Sequence, residues 1–256
     1  MSENGDALGD GGVDDGRATD GGVDDGRATD GGVDGGRATD GGVDDGRATD
    51  GGVDGDALDA DLRVPSCERC PALVESRSRI VDGVGPTDAD LLFVGEGPGA
   101  NEDEQGEPFV GRSGDVLDEA LRDAGLARAD VRITNCVRCR PPDNRDPTSE
   151  ELANCRGHLE SEIERLDPEL IVTLGKVPSE HLLGRSVAIT SESGSVVDVR
   201  VGGASRRLLL SVHPAATLYD RSQREGFFET IARAGDLAGI SDGRDGGSGQ
   251  SRLGEF

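Results

Sequence analysis

The groups in this chain that could do chemistry are five cysteines, three histidines and a glycine loop ringed by carboxylates. Cys67 and Cys70 form "CERC"; Cys136, Cys139 and Cys155 fall within "NCVRCRPPDNRDPTSEELANC" (135–155). Two sets of four thiols can be drawn. Cys67, Cys70, Cys136 and Cys139 make two CxxC pairs of the kind that bind zinc, but 65 residues separate the pairs, far beyond ribbon spacing. Cys67, Cys70, Cys139 and Cys155 make the other set, and four thiolates suit either zinc or an iron–sulfur cluster. Cys136 directly follows Asn135. In extended backbone the two side chains face opposite ways, so an Asn135 turned to a crevice leaves Cys136 as a small buried hydrophobe.

The glycine loop reads "GEGPGANEDEQGEPFVGRSG" (95–114). Three glycines in five residues let the backbone approach a ligand closely. The loop lacks the GK[ST] of a phosphate loop, and Glu96, Glu102, Asp103, Glu104 and Glu107 would repel phosphate while suiting N–H donors. An acidic surface loop is the plainer alternative. Phe109 within it is either a core plug or a stacking platform. Asn135 ends a strand-like run. Its amide sets a donor beside an acceptor and can match the pairing edge of a base, although asparagine there is also a common cap. His213, before Pro214 in "SVHPAAT", is placed to donate to a ligand oxygen. His158 and His181 fall in helical patterns and read as surface or packing residues.

Alternating strands and helices would position these groups. Four short apolar runs, 89–97, 130–137, 169–175 and 207–214, have the texture of buried parallel strands. Between them lie helical patterns at 114–126, 148–166, 177–184 and 224–240. The first has an apolar stripe of Val116, Leu117, Ala120, Leu121 and Ala124. The second opens on Thr148 and Glu151, spaced as a capping box. The expected fold is a three-layer α/β/α domain over 61–240 around a central four-stranded parallel sheet. Ligands in such folds bind beyond the carboxyl ends of the strands, where "GEGPG", "TNC", "TLGK" and "SVHPAAT" lie.

Residues 11–50 are four copies of a unit close to "GGVDDGRATD", too poor in apolar residues to stack as a solenoid. Residues 1–60 therefore read as a disordered acidic low-complexity tail, with four arginines against 17 acidic residues (net −13). Residues 61–256 are acidic as well (net −12), and 241–256 read as a flexible Gly-rich end. Lys176 is the only lysine. Acidity with little Lys and few aromatics fits life in concentrated salt, where the Debye length shrinks to roughly 3 Å at 1 M. No apolar run nears the about 20 residues that span a bilayer. The acidic N-terminus lacks the basic start and apolar core of a signal peptide. A cytoplasmic protein with reduced thiols follows as the expectation.

Taken together and in order, "CERC", "GEGPGANEDEQGEPFVGRSG", "ITNCVRCRPPDNRDPTSEE" with Cys155, and "HPAA" make the stretch from Cys67 to Gly239 resemble the family 4 uracil-DNA glycosylases, the thermostable iron–sulfur type of archaea and bacteria. The resemblance implies a base-excision repair enzyme that hydrolyses the N-glycosidic bond of flipped-out deoxyuridine, leaving an abasic site. It implies a structural [4Fe–4S] cluster on Cys67, Cys70, Cys139 and Cys155, with Cys136 free. It implies a uracil pocket of Glu96, Gly97, Glu102, Phe109, Asn135 and His213. In that pocket Phe109 stacks on the base, Asn135 pairs with O4 and N3–H, and His213 donates to O2; Glu96 or Glu102 would help orient water. Better-known uracil glycosylases have an aspartate where Gly97 stands, and relatives have an arginine soon after "HPAA" where this chain has Tyr219, with Arg221 beyond. The tip Thr217–Tyr219 would enter the DNA. Arg112, Arg138, Arg140 and Arg145 lie beside the motifs and read either as a phosphate-binding patch or as solvated or ion-paired arginines. The implied partner is uracil-containing DNA, met by a monomer and no membrane. The alternatives are action on another deaminated base, or a non-catalytic metal- or cluster-bearing interaction protein.

Overall fold

The computed structural model describes residues 62–240; the expected tail and C-terminal end lie outside the described residues. β1 (Leu91–Gly95), β2 (Arg132–Asn135), β3 (Leu170–Leu174), β4 (Val196–Val201) and β5 (Ala204–Ser211) form one sheet in the order β2-β1-β3-β5-β4. β2, β1, β3 and β5 are parallel. Every residue of β1, β2 and β3 is buried, as strands covered on both faces require.

The sheet has five strands rather than the expected four, because β4 pairs antiparallel with β5. Its "VVDVRV" is only partly buried and hydrophilic on alternate residues, so it lacks the continuous apolar run by which the other strands were read. Gly202 and Gly203, at φ 57° and 74°, make the two-residue turn between the two strands.

Alternate side chains of each strand feed two cores. Leu91, Phe93, Val172 and Leu209 join Val116, Leu117, Phe227 and Ile231, so α3 (Arg112–Asp123) and α8 (Ser222–Leu237) cover one face. Leu92, Val94, Ile171, Leu208 and Leu210 join Leu159, Ile163 and Leu182, so α4 (Ser149–Leu166) and α5 (Lys176–Leu183) cover the other. α4 starts on the expected capping box: Thr148 Oγ1 accepts from the Glu151 amide at 3.2 Å, and Glu151 accepts from the Thr148 amide at 2.8 Å. Three shorter helices sit around these: α1 (Pro71–Ser76), α2 (Ala100–Gln105) and α6 (Ile189–Glu192). A single-turn helix, α7 (Ala216–Tyr219), follows β5.

One buried charge network ties β2 to α4. Glu162, 1% exposed, accepts from Arg132 Nε at 2.9 Å and Arg138 Nη2 at 2.5 Å; Arg138 also reaches Asp82 at 3.2 Å. Two guanidiniums on one carboxylate are stable without water only because each charge faces an opposite one.

Candidate active site

Strand order reverses beside β1, which has β2 on one side and β3 on the other, and there the carboxyl ends of a doubly wound sheet open a crevice. Gly95 pairs with Asn135 in register. A Cβ on Gly95 would run into Asn135 Oδ1 and the Phe109 ring. Glycine there is what allows the amide and the ring to come together.

Phe109 is held in the left-handed region (φ 56°), a strained place for a bulky residue, costing about 1–3 kcal/mol. Its carbonyl lies against Gly114, where any Cβ would overlap it. The ring is 5.8 Å from the His213 ring, centroid to centroid, at 30°. Contact at that distance leaves no gap for a flat ligand between the two rings.

Glu102 organises the loop. Its carboxylate accepts from the amides of Gly99 (3.1 Å), Val110 (3.2 Å) and Gly111 (3.3 Å). Next to it, buried Asp103 accepts from the amides of Ser78 (2.9 and 2.8 Å) and Arg79 (3.3 Å), tying α2 to the segment just after "CERC".

These pieces enclose a cavity of about 190 Å3 lined by Gly97, Gly99, Glu102, Phe109, Ser113, Asn135 and His213. Pockets for drug-sized ligands hold about 300–1,000 Å3, so this one suits a single ring. Asn135 is 2% exposed and its Oδ1 has no partner in the protein. A buried orphan acceptor costs about 1–3 kcal/mol, and a ligand N–H would relieve it. His213 Nδ1 accepts from the Ala215 amide at 3.1 Å, which leaves the proton on Nε2. Burial pushes the imidazole down to about 4, against a weaker upward pull from Glu102, so it is neutral at pH 7.

Five of the six residues singled out in the sequence thus line one cavity: Gly97, Glu102, Phe109, Asn135 and His213. Glu96 lies in an adjoining depression of about 230 Å3, which shares Gly97, Gly99 and His213. Burial, then the charge of Asp146 and a hydrogen bond shared with it, raise Glu96 to about 7. Ser113 was missed: it carries no motif of its own and reaches the wall only through the start of α3.

The arginines that could form one phosphate patch are divided by the fold. Arg138 is 2% exposed and spent on Glu162 and Asp82. Arg145 pairs with Glu151 at 2.7 Å, and Arg140 donates to Asn144 at 2.7 Å. Arg112 is exposed and donates to the Tyr219 hydroxyl at 3.3 Å. Tyr219 (80% exposed) and Leu218 (40%) are the large exposed hydrophobics among the described residues, and both line the groove beside the cavity.

The second cluster is the cysteine corner. Arg77 donates to Cys139 Sγ at 2.8 Å and to the Cys67 carbonyl at 2.8 Å. Arg69 donates to Cys67 Sγ at 3.3 Å, and Asn154, beside Cys155, to Cys70 Sγ at 3.5 Å. Burial raises the Cys139 and Cys155 thiols, and neighbouring thiols add to both rises: Cys67 and Cys70 on Cys139, Cys139 and Cys67 on Cys155. These four sulfurs therefore share one corner ringed by guanidiniums, a donor set that fits a thiolate-held group. Among the described residues, no three Cys, His, Asp or Glu side chains close on one point as around a single ion. Cys136 packs instead in the core with Leu92, Val94 and Leu159.

The model of the uracil DNA glycosylase superfamily matches residues 83–234. The chain is 39% identical over 189 residues to a type-4 uracil-DNA glycosylase of Archaeoglobus fulgidus, covering 72% of this chain and 94% of that one. To the type-4 enzyme of Thermotoga maritima it is 44% identical over 175 residues, 67% of this chain and 89% of that one. Similarity to a type-5 uracil-DNA glycosylase of Thermus thermophilus is lower, 32% over 212 residues, covering 68% and 95% of the two chains. With a cavity at the sheet's reversal point and a four-thiol corner beside it, the chain belongs to the uracil DNA glycosylase superfamily and, within it, to the type-4 uracil-DNA glycosylases.

Proposed function

We propose that this protein removes uracil from DNA in base-excision repair by hydrolysing the N-glycosidic bond of an everted deoxyuridine. The observation that carries the reading is the buried, unpartnered Asn135 amide oxygen at the edge of a ring-sized cavity, beneath Phe109 and beside a neutral His213.

Eversion costs a few kcal/mol and is cheapest at a mispaired base. Once inside, the base lies on Phe109. Asn135 Oδ1 accepts from N3–H and its NH2 donates to O4; cytosine offers an unprotonated N3 and an amino group there, and both contacts become repulsive. Negative charge collects on O2 as the bond to the sugar breaks. His213 Nε2–H, its tautomer fixed by the Ala215 amide, donates to that oxygen. A neutral imidazole does this without binding the anionic product as an ion pair. Water reaches the sugar from the depression beside Gly97, where ionised Glu96 orients it. Glu102 acts through the loop it holds, since its oxygens are already engaged by three amides.

Leu218 and Tyr219 enter the duplex and fill the place of the everted base, the use other DNA-bending proteins make of exposed apolar wedges. The exposed Arg112 and Arg221 meet phosphates. Cys67, Cys70, Cys139 and Cys155 would hold a [4Fe–4S] cluster, whose contribution would be to fix the loops on either side.

The test is uracil release from single- and double-stranded DNA in molar salt, with hypoxanthine duplexes in parallel. Uracil release without added cofactor, lost in Asn135→Ala, is expected. Unaltered uracil release by Asn135→Ala, or preference for hypoxanthine, would reject the assignment.

A further inference from the structure

Phe109 sits in a backbone conformation that it does not favour, and a side chain from another part of the fold holds it there. Arg128 lies in a 3-10 turn (Arg128–Asp130) after α3, fixed by a bond of 2.7 Å from the Ala127 amide to Asp130. Its guanidinium reaches back across 19 residues, donating from Nη1 to the Phe109 carbonyl at 3.1 Å and from Nη2 to the Pro108 carbonyl. Asp118 on α3 steadies the same Nη1 at 2.8 Å. Two consecutive carbonyls turned toward one point is an arrangement that a free chain does not keep, since nothing offsets their like dipoles. A planar fork with parallel N–H groups matches it. Gly114, in the first turn of α3, leaves the room that the Phe109 carbonyl takes, so the peptide meets both α3 and the guanidinium.

We infer that Arg128 is a positioning residue for base recognition: by clamping the Pro108 and Phe109 carbonyls it fixes the stacking ring over Asn135 and against His213. The inference rests on the uracil pocket proposed above. Without the clamp, Phe109 relaxes toward extended backbone, its ring swings out of the cavity, and the base loses its platform while Asn135 and His213 stay in place.

A double-mutant cycle on the full chain tests this, using Phe109→Ala, Arg128→Ala and the pair. The readouts are single-turnover uracil release, inhibition by free uracil, and the thermal midpoint. Phe109→Ala and Arg128→Ala should each slow release by about tenfold or more, the scale of coupling between contacting residues, and the pair should be no slower than Phe109→Ala alone. Inhibition by free uracil should weaken in parallel. Arg128→Lys should recover part of both, because an ammonium serves one carbonyl but not the fork. Additive losses in the pair would overturn the inference, as would a lowered thermal midpoint in Arg128→Ala with wild-type inhibition by uracil. If Arg128→Ala does not fold, Arg128→Lys and Asp118→Asn decide: weaker uracil inhibition in both supports the clamp, and unchanged inhibition in both refutes it. Wild-type release by Phe109→Ala would instead bring down the pocket assignment itself, and the clamp with it.

Discussion

The ring-sized cavity and the cysteine corner draw on the two ends of the same short stretch, Asn135 to Cys139, and they are braced by different means. In the pocket the charged braces, Glu102 and Arg128, act on backbone amides and carbonyls, while Asn135, Phe109 and a neutral His213 face the cavity. Glu102 holds three amides, the Ala215 amide sets the His213 tautomer, and the Phe109 and His213 rings touch. In the corner the supports are full charges: Arg77 and Arg69 donate to thiols, and Arg138 behind them is locked to Glu162 and Asp82. The difference follows from what each region must hold. Four thiolates in one place repel one another and require nearby cations. A pocket that discriminates a neutral base and stabilises a charge only as it forms works best with fixed dipoles and no permanent cation at the base. Asp103 joins the two, since the α2 turn that carries Glu102 is tied through it to the segment leaving "CERC".

The comparison predicts that the two regions fail differently. The largest effect belongs to the charged side. Glu162→Gln should lower unfolding free energy by about 3–5 kcal/mol in denaturant titrations, because it takes the shared carboxylate from two buried guanidiniums and leaves Arg138 only Asp82 as a counter-charge. A loss below about 1 kcal/mol would show that the network is not the brace. Next comes the neutral side. His213→Ala should lower the single-turnover rate by about 10²–10³, or about 2.7–4 kcal/mol of barrier, with little change in unfolding free energy. A matching loss of stability would erase the contrast.

A smaller, graded effect is expected at Glu96. Raised to about 7, it holds its proton in the folded chain well above the ordinary 4.5, so its ionisation lowers stability as pH rises across that window. If the ionised form orients water, excision should climb as pH rises through about 7, and Asp146→Asn should move that midpoint lower by removing a neighbouring charge. A rate profile identical in wild type and Asp146→Asn would separate Glu96 from the chemistry. The smallest effect is a cap. Thr148→Ala should cost about 1 kcal/mol of stability and leave uracil release per folded molecule unchanged.

Some of this was legible in the chain before any coordinates. β1, β3 and the second half of β5 announce themselves because strands covered on both faces are mostly apolar, whereas β2, "RITN", stands out only within the wider run 130–137. α4 declares its start through Thr148 and Glu151 because capping is a local bond between residues three apart. β4 escaped because an edge strand needs no apolar run, although "VVDVRVGG" did carry an alternation and a turn. The arginines stayed ambiguous for a different reason. Arg112, Arg138, Arg140 and Arg145 look alike in sequence, and only burial beside Glu162 distinguishes Arg138 from a residue free to meet phosphate.

By itself the sequence determined the alternation of strands and helices, the family, and the motif residues, because each depends on residue types at short fixed spacings. The tertiary structure alone decided that Glu96 stands apart from the base cavity, that Glu102 is occupied by backbone amides, that His213 carries its proton on Nε2, and that Arg128 grips the peptide of Phe109. Those facts depend on which groups distant in the chain come within hydrogen-bonding reach and which lose water on the way. Neither is encoded in local spacing.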